Sequence, residues 1–453
     1  LGNGRRLRLP SAGAKRGLFK ADWRRLQIAP PHMKSRGSDS YKWMENYNKD
    51  VVRRLEEEDQ FCTEVLRCCS STNSVLFDEI SDYYDEENVD SLPYTVRGYS
   101  YYTRQKEEDY LPVFCRKREG SDAEEVILNL NTEFAQGSVT VNNFVVNSDS
   151  RFLAYTVDTS GEELYNLYVK DLSTKQVEVI KRNVYSFAFG LNDAPAREIY
   201  YTVANSLMRT NRIYKHVLGT SITHDTLVFE EPSDFYYCDV KRTNDAKYMV
   251  FFSAAKSNCE VYAAGGVLKK PTLLVRRHPN KEVYLEHIQD FFVVVRTSQS
   301  HSFEVFLVNE NDAFGFLSRQ EEESKQGKQA KQEESKQEIA DPAPKKGLID
   351  YCFEAKKVMP LTPSPPPKSE VIEDTYRIFD MDVLKNHILL YEKSCHGYRI
   401  RTLQLDFYDH NLSISEQKLD VPHLGDFTVG MNPDPSSHCV NYTLSNPILP
   451  GDT

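Results

Sequence analysis

The stretch SLPYTVRGYSYYTRQKEEDYLPVFCRK, at residues 91–117, contains two apolar runs of alternating pattern, at residues 99–103 and 111–115. The residues between them, QKEED at 105–109, are polar and mostly charged. Two alternating runs on either side of a polar turn predict a β-hairpin. One hairpin indicates little about function, but this pattern recurs along the chain.

Runs like GYSYYTR, which begins at residue 98, occur seven times. The other six are FLAYTVD (152–158), EIYYTVA (198–204), YMVFFSA (248–254), FFVVVRT (291–297), HILLYEK (387–393) and CVNYTLS (439–445). Successive runs start 43 to 54 residues apart, except for one interval of 96. A repeat of roughly 40 to 50 residues with about four strands each is typical of β-propellers. Seven runs therefore predict an all-β fold, a seven-bladed propeller.

The first six runs are each followed, after a polar turn, by a second apolar strand. These strands are LPVFCRK (from residue 111), YNLYVKDL (165), NRIYKHVL (211), CEVYAAGG (259), SFEVFLVNE (302) and RIRTLQLD (399). The seventh run is followed only by residues 446–453, so the last blade is expected to be incomplete. Such a blade is either a natural end or the mark of a truncated product, and the unpaired apolar edge strand favours truncation.

Composition divides the chain further. Residues 1–40 are basic and rich in Arg, Gly and Pro, which favours a disordered extension or a mispredicted exon over a transit peptide. Residues 41–74 are predicted to be helical and to precede the propeller at residues 75–453. The helical apolar positions form one stripe, which is expected to pack on the propeller or on a domain outside this sequence. The stripe consists of Val51, Leu55, Cys62, Val65, Leu66 and Cys69.

The doubled interval coincides with residues 318–346, SRQEEESKQGKQAKQEESKQEIADPAPKK, which contain no aromatic residue. A segment composed mainly of Glu, Lys, Gln and Ser cannot bury enough apolar surface to offset its ordering entropy. We therefore expect a disordered low-complexity insertion in the propeller, with a solvent-exposed helix as the alternative.

The net charge of −11 is unevenly distributed, because residues 1–28 carry +7 and the remainder −18. An acidic propeller channel would favour cationic peptides over nucleic acid, although a solvated acidic surface explains the same composition. Nine cysteines without regular spacing fit reduced thiols in a cytoplasmic protein. No apolar run approaches membrane-spanning length, so no membrane partner is expected.

Catalytic and cofactor-binding motifs are absent from the sequence. It contains no GxSxG, HExxH, EF-hand loop, GxxxxGK or GxGxxG, and its eleven histidines show no metal-ligand spacing. The residues alone therefore predict a scaffold, with no catalytic, cofactor-binding or metal site and no cofactor.

The first hairpin resembles the first-blade signature of oligopeptidase B, a serine peptidase of the prolyl oligopeptidase family. The matching residues are Pro93, Tyr94, Gly98, Tyr99, Tyr101, Tyr102, Arg104, Pro112, Arg116 and Lys117. Further matches lie at residues 39–46, 148–172 and 212–231. The similarity covers roughly residues 30–453, apart from the insertion.

This resemblance implies a seven-bladed propeller that caps an α/β-hydrolase domain, with the N-terminal helix packed on that domain. It also implies cleavage of short peptides after Arg or Lys by a Ser-His-Asp triad, with the propeller gating substrate access. All three triad members lie, in the family, beyond the last residue of this chain. No catalytic residue is carried over, and the chain alone is expected to be inactive.

Three hypotheses remain from the sequence. The first is the substrate-gating propeller region of an oligopeptidase B-like endopeptidase, whose partners are the hydrolase domain and short basic peptides. The second is a non-catalytic propeller that serves as a peptide- or protein-binding scaffold. The third is an unstable product of an erroneous gene model.

Overall fold

A computed structural model provides the coordinates for the chain. It describes residues 42–45, 48–67, 69–81, 91–106, 109–134, 139–191, 197–297, 303–320, 346–362, 376–408, 411–422, 425–430, 432–437 and 439–445. The chain divides into two compact units, Leu1–Glu87 and Asn88–Thr453. The basic extension at residues 1–40 lies outside the described residues.

The first unit is helical where it is described. It contains a short 3-10 helix (Lys42–Glu45), α1 (Lys49–Arg67) and α2 (Ser70–Ser81), so helix continues past the predicted boundary at residue 74. Asn48 caps α1, because its side-chain oxygen accepts the backbone N–H groups of Asp50 and Val51. The predicted apolar stripe is mostly uncovered: Val51 is buried, but Leu55 and Leu66 are about half exposed.

The described residues of the second unit form 26 strands, β1 to β26, with short helices between some of them. Blade 1 is β1 (Tyr94–Val96), β2 (Tyr99–Arg104), β3 (Val113–Arg118) and β4 (Glu124–Asn129), followed by α3 (Leu130–Glu133). Blade 2 is β5 (Thr140–Val146), β6 (Phe152–Asp158), β7 (Asn166–Asp171) and β8 (Val177–Arg182). Blade 3 is β9 (Phe187–Phe189), β10 (Glu198–Ala204), β11 (Thr210–Val217) and β12 (Thr226–Glu230).

The remaining blades follow the same order. Blade 4 is β13 (Tyr237–Arg242), β14 (Met249–Ala255), β15 (Asn258–Gly265) and β16 (Leu268–Val275). Blade 5 is β17 (Val283–Ile288), β18 (Phe291–Thr297), β19 (Phe303–Asn309) and β20 (Met359–Pro360), with α4 (Glu310–Phe314) and α5 (Leu348–Glu354) between β19 and β20. Blade 6 is β21 (Arg377–Val383), β22 (His387–Ser394), β23 (Gly397–Tyr408) and β24 (Asn411–Pro422). Blade 7 is β25 (Asp426–Val429) and β26 (Tyr442–Ser445).

Seven sheets are therefore present among the described residues, six of four antiparallel strands and one of two. This confirms the predicted seven blades and the incomplete last one. The seven recurrent runs are the second strands of the blades, and the partner strands found in the sequence are the third. In β6, six consecutive residues from Leu153 to Asp158 are buried, because the sheet is covered on both faces and both sets of alternating side chains point into packed layers.

Six apolar clusters join consecutive blades, and each contains residues of the two neighbouring sheets. Between blades 3 and 4, for example, Ile213 packs with Val240 and Phe251. The junction of blades 7 and 1 differs, since no such cluster occupies it among the described residues. There a cleft of about 510 Å³ is lined by side chains that include Tyr94, Tyr101 and Asn441, and Asn441 donates to the carbonyl of Pro93 at 3.4 Å.

A buried histidine connects blades 4 and 5. His287, in β17, is fully buried; its Nδ1 lies 2.5 Å from Asp245 of blade 4 and its Nε2 lies 3.2 Å from Glu310. Glu310 also accepts hydrogen bonds from Lys247 and Tyr248 of blade 4. Burial favours a raised pKa for Glu310, but the hydrogen bonds from Lys247 and Tyr248 oppose it, and the pKa is lowered overall.

A second histidine connects blades 2 and 3 in the same way. The Nδ1 of His216 lies 2.6 Å from Asp225 and its Nε2 lies 3.2 Å from Glu178 of blade 2. Tyr201 donates to the other oxygen of Asp225 at 2.5 Å. Two blade junctions thus combine apolar packing with a fully buried, carboxylate-bound histidine.

The two ends of the low-complexity insertion lie close together. Gln320 donates from its amide nitrogen to the carbonyl of Leu273 and to that of Lys346, both at 2.9 Å. The predicted insertion at residues 318–346 is therefore ordered at both ends, and residues 321–345 lie outside the described residues. The sequence analysis missed α5, whose Leu348 and Ile349 are fully buried in the cluster between blades 4 and 5.

Deletion of residues 321–345, which joins Gln320 to Lys346, should change the melting temperature by less than about 3 °C. Gln320 and Lys346 already meet, so joining them in place of the long connection changes the closure entropy little. The measurement is a thermal melt followed by circular dichroism. Gln320→Ala in the same background is the sensitive control, because it removes both bonds; a large loss of melting temperature from the deletion alone would mean that the segment packs on the propeller.

The stabilising effect of Glu310 should depend on pH. Because the folded pKa of Glu310 lies below its unfolded value, its contribution is present above about pH 4.5 and is lost as the pH falls through the folded pKa. Glu310→Gln should therefore lower the free energy of unfolding by about 1–3 kcal/mol at pH 7. Measured by urea unfolding, the difference in this free energy between wild type and the variant should decrease below pH 4.5. Glu119→Gln, a change at an exposed residue, is the control. A difference between wild type and Glu310→Gln that stays constant with pH would contradict the predicted role of the Glu310 charge.

Candidate peptide-binding channel

The first strands of the blades surround the propeller axis. Contacts between first strands of consecutive blades occur for β9 with β13 and for β17 with β21. Side chains also connect blades that are not neighbours, which is possible only near the axis. Arg242, at the end of β13 in blade 4, donates to the hydroxyl of Ser148 in blade 2, and Asn244 donates to the carbonyl of Val383 in blade 6.

These two links narrow one end of the channel, which we call the closed end. Ser148, Gly190, Arg242 and Val383 each lie at or just after the end of a first strand. Arg242 reaches the oxygens of Ser148 and Gly190 at 3.2 Å each. Asn244 donates its side chain to Val383 at 2.7 Å. Blade 4 therefore spans the axis in two directions at this end.

A cleft of about 360 Å³ lies between the first strands of blades 4, 5 and 6. Lys241 of β13 pairs across it with Glu286 of β17 at 2.8 Å. Two aromatic side chains line the cleft and are well exposed, Tyr284 at 48% and Phe379 at 40%. Exposed aromatic rings beside charged groups can hold the side chains of an extended peptide.

The cleft is acidic on the side of blade 6. Asp380 lines it and is exposed, and it has no ion-pair partner among the residues that the structure describes. Asp382, on the same strand, is partly buried and accepts bonds from Tyr391 and Asn432 at 2.8 Å each. Burial raises the pKa of Asp382, and the nearby negative charges add to that effect. A cationic side chain would relieve this repulsion.

Nucleophilic machinery is not assembled in the described part of the propeller. Both ring nitrogens of His216 and of His287 face carboxylates, so neither histidine is placed to activate a serine or cysteine. Burial raises the pKa of the Cys115, Cys259 and Cys352 thiols to about 11, which keeps these thiols protonated at neutral pH. No group of three His, Cys, Asp or Glu residues that could hold a metal ion occurs within the described ranges.

The sequence predicted no site residue, and the channel residues were missed for a physical reason. Lys241, Glu286 and Asp380 lie on first strands, which precede the recurrent apolar runs and carry mixed polar and apolar side chains. Only their position in the chain could have indicated the first strands. A propeller blade has about four strands, so a strand of a few residues must lie just upstream of each recurrent run.

Comparison with known proteins gives a consistent result. The family model described as the N-terminal β-propeller domain of prolyl oligopeptidase matches residues 25–326. Protease 2 from Moraxella lacunata is 25% identical over 288 residues, which are 60% of this chain and 41% of that protein. Dipeptidyl aminopeptidase BI from Pseudoxanthomonas mexicana is 27% identical over 293 residues, 59% of this chain and 40% of that protein.

Solved structures share the fold at lower sequence identity. Oligopeptidase B from Leishmania major superimposes with a TM-score of 0.67 at 17% identity. Oligopeptidase B from Trypanosoma brucei, in a closed form with covalently bound antipain, gives 0.68 at 17% identity. Each comparison covers 90% of this chain and 52% of the solved one. The chain thus spans about half the length of these peptidases, or less.

Asn244→Ala should destabilise the propeller by about 1 kcal/mol, because it removes the hydrogen bond that crosses the axis to Val383. The measurement is urea unfolding followed by far-ultraviolet circular dichroism, which reports on the sheets of the propeller. Asn311→Ala, at an exposed position in α4, is the matched control and should change the free energy of unfolding by less than about 0.5 kcal/mol. Equal stability of the two variants would show that the cross-axis bond contributes nothing.

Proposed function

Because this chain belongs to the prolyl oligopeptidase family, we propose that it is the substrate-gating propeller region of an oligopeptidase B-like serine endopeptidase. In this proposal short peptides reach an α/β-hydrolase domain that supplies the Ser-His-Asp triad, and cleavage follows Arg or Lys. The family match carries the proposal. The proposal also includes the domain division at residues 1–40, 41–74 and 75–453, with the boundary before the propeller moved beyond Ser81.

The channel chemistry supports a preference for basic peptides. Asp380 lines the cleft and pairs with no cation among the described residues, whereas Lys241 is already neutralised by Glu286. The exposed rings of Tyr284 and Phe379 add surfaces on which an arginine side chain can stack. A channel closed at one end by Arg242 and Asn244 would admit flexible peptides and exclude folded proteins.

The helical unit supports contact with a further domain. In α2 the apolar side chains Val75, Leu76, Phe77 and Ile80 are 48% to 71% exposed. An exposed apolar surface of this kind marks an interaction site. We assign it, with the stripe of α1, to contact with the hydrolase domain, supplied in the same polypeptide or by another chain.

A second candidate function is a non-catalytic peptide-binding scaffold. One observation favours it: the carboxylate-bound histidines of the described residues, His216 and His287, are not placed to activate a nucleophile. Both functions use the same channel and differ in whether a hydrolase domain acts beside it. The buried cysteines Cys115, Cys238, Cys259 and Cys352 are free thiols, which fits the cytoplasmic location that forms part of the proposal. No described helix has the length and apolarity required to cross a bilayer.

Peptide binding by the purified chain is the direct test. A fluorescent hexapeptide with two arginines should bind more tightly than the same peptide with two citrullines, which are neutral and similar in shape. Asp380→Asn should weaken binding of the arginine peptide by about two- to fivefold, the range expected for an exposed ion pair. Fluorescence anisotropy gives both affinities. Asp122→Asn, an exposed position in the turn between β3 and β4, makes the same change in net charge away from the channel.

Hydrolysis tests the expectation, shared by both functions, that this chain alone has no triad. The chain alone should cleave neither peptide, and turnover sensitive to a serine-directed inhibitor would contradict the missing triad. Equal binding of the arginine and citrulline peptides, unaffected by Asp380→Asn, would rule out the acidic cleft as the recognition site.

A further inference from the structure

The closed end of the channel contains a cation without a counter-ion. Arg242 is partly buried and donates only to neutral oxygens, the hydroxyl of Ser148 and the carbonyl of Gly190. No carboxylate among the described residues lies within ion-pair distance of its guanidinium. Burial lowers the pKa of Arg242 to about 10, and the positive charge of Arg97 contributes to the decrease. A buried charge that lacks a partner is unfavourable.

Two carboxylates that lie near this end have other partners. Glu198, whose backbone pairs with Gly190, is bonded to Lys215 at 3.0 Å. Asp245, in the turn that follows β13, is bonded to His287. The positive charge at the closed end is therefore not neutralised by these groups.

Arg97 supplies a second positive charge. It lies in the two-residue turn between β1 and β2, at φ 52°, and is followed by Gly98 at φ 74°. Two positive φ values define the type I′ hairpin turn, in which Asn or Gly is favoured at the first position. The Arg97 side chain is exposed. The turn lies at the end of the first strand of blade 1, the same end of the channel as Arg242.

We propose that Arg97 and Arg242 form an oxyanion-binding site at the closed end of the channel, which takes a carboxylate or phosphate group. Each guanidinium presents a planar set of N–H donors that matches these anions. The site is separate from the acidic cleft and does not depend on a hydrolase domain. A free oxyanion or the C-terminal carboxylate of a peptide supplies the same chemistry, and only the second source depends on the proposed function.

Inorganic phosphate is the first probe, used with the full chain at constant ionic strength. Phosphate should raise the melting temperature of wild type by about 2–4 °C in a saturable manner. Arg242→Gln keeps N–H donors for Ser148 and Gly190 but removes the charge, and it should weaken the phosphate response by about tenfold or more. Arg97→Asn, which suits the turn, should weaken the response without loss of stability. Arg212→Gln, an exposed arginine paired with Glu230, should respond like wild type.

The source of the anion is identified by a second measurement. A short peptide with a free C-terminus is compared with its amide by anisotropy, in wild type and in Arg242→Gln. If wild type binds the free-acid peptide more tightly than the amide and Arg242→Gln does not, the site takes a peptide terminus. If wild type binds both peptides equally but keeps its phosphate response, the site takes a free oxyanion. A wild-type protein without a saturable phosphate response, or a response retained in both Arg97→Asn and Arg242→Gln, would overturn the proposal.

Discussion

Apolar packing between neighbouring sheets is the constraint on which the rest of this structure depends. Each blade from 2 to 6 is covered on both faces by its neighbours, and the six inter-blade clusters contain most of the buried apolar side chains. A sheet in that position cannot use strict alternation in its central strands, because both faces are buried. The first strands line the axis, so some of their side chains need not pack against a neighbouring sheet. Charged groups such as Asp380 can be accommodated there.

The same constraint explains how much of the fold was accessible from the sequence. Second strands such as β14, with Met249, Phe251 and Phe252, form long apolar runs that recur at blade spacing, so seven blades could be counted. First strands such as β9, only three residues long, are too short to show a period. The link from Asn244 to Val383 joins residues 139 apart in sequence, and no local pattern indicates it. The channel site therefore required the structure, whereas the fold did not.

The junction between blades 7 and 1 shows what happens when one face lacks its cover. Blade 7 has two described strands, and in place of an apolar cluster this junction has a cleft bordered by Tyr94 and Tyr101, whose rings stack at 5.5 Å. These tyrosines belong to the hairpin whose sequence first indicated the fold. The motif is aromatic because the first blade must present a large apolar surface to its neighbours. Among the described residues, a hydrogen bond from Asn441 to the carbonyl of Pro93 connects the two blades at this junction.

Net charge is a poor guide to the channel of this propeller. The sequence outside residues 1–28 carries −18, yet the axis holds charges of both signs at different places: carboxylates at Asp380 and Asp382 beside blade 6, and guanidinium groups at Arg97 and Arg242 at the closed end. Lys241 and Glu286 cancel each other between them. Under the proposed function, such an arrangement would discriminate by direction as well as by charge, since a peptide with a basic side chain and a free carboxylate would find complementary partners at both places in only one orientation along the axis.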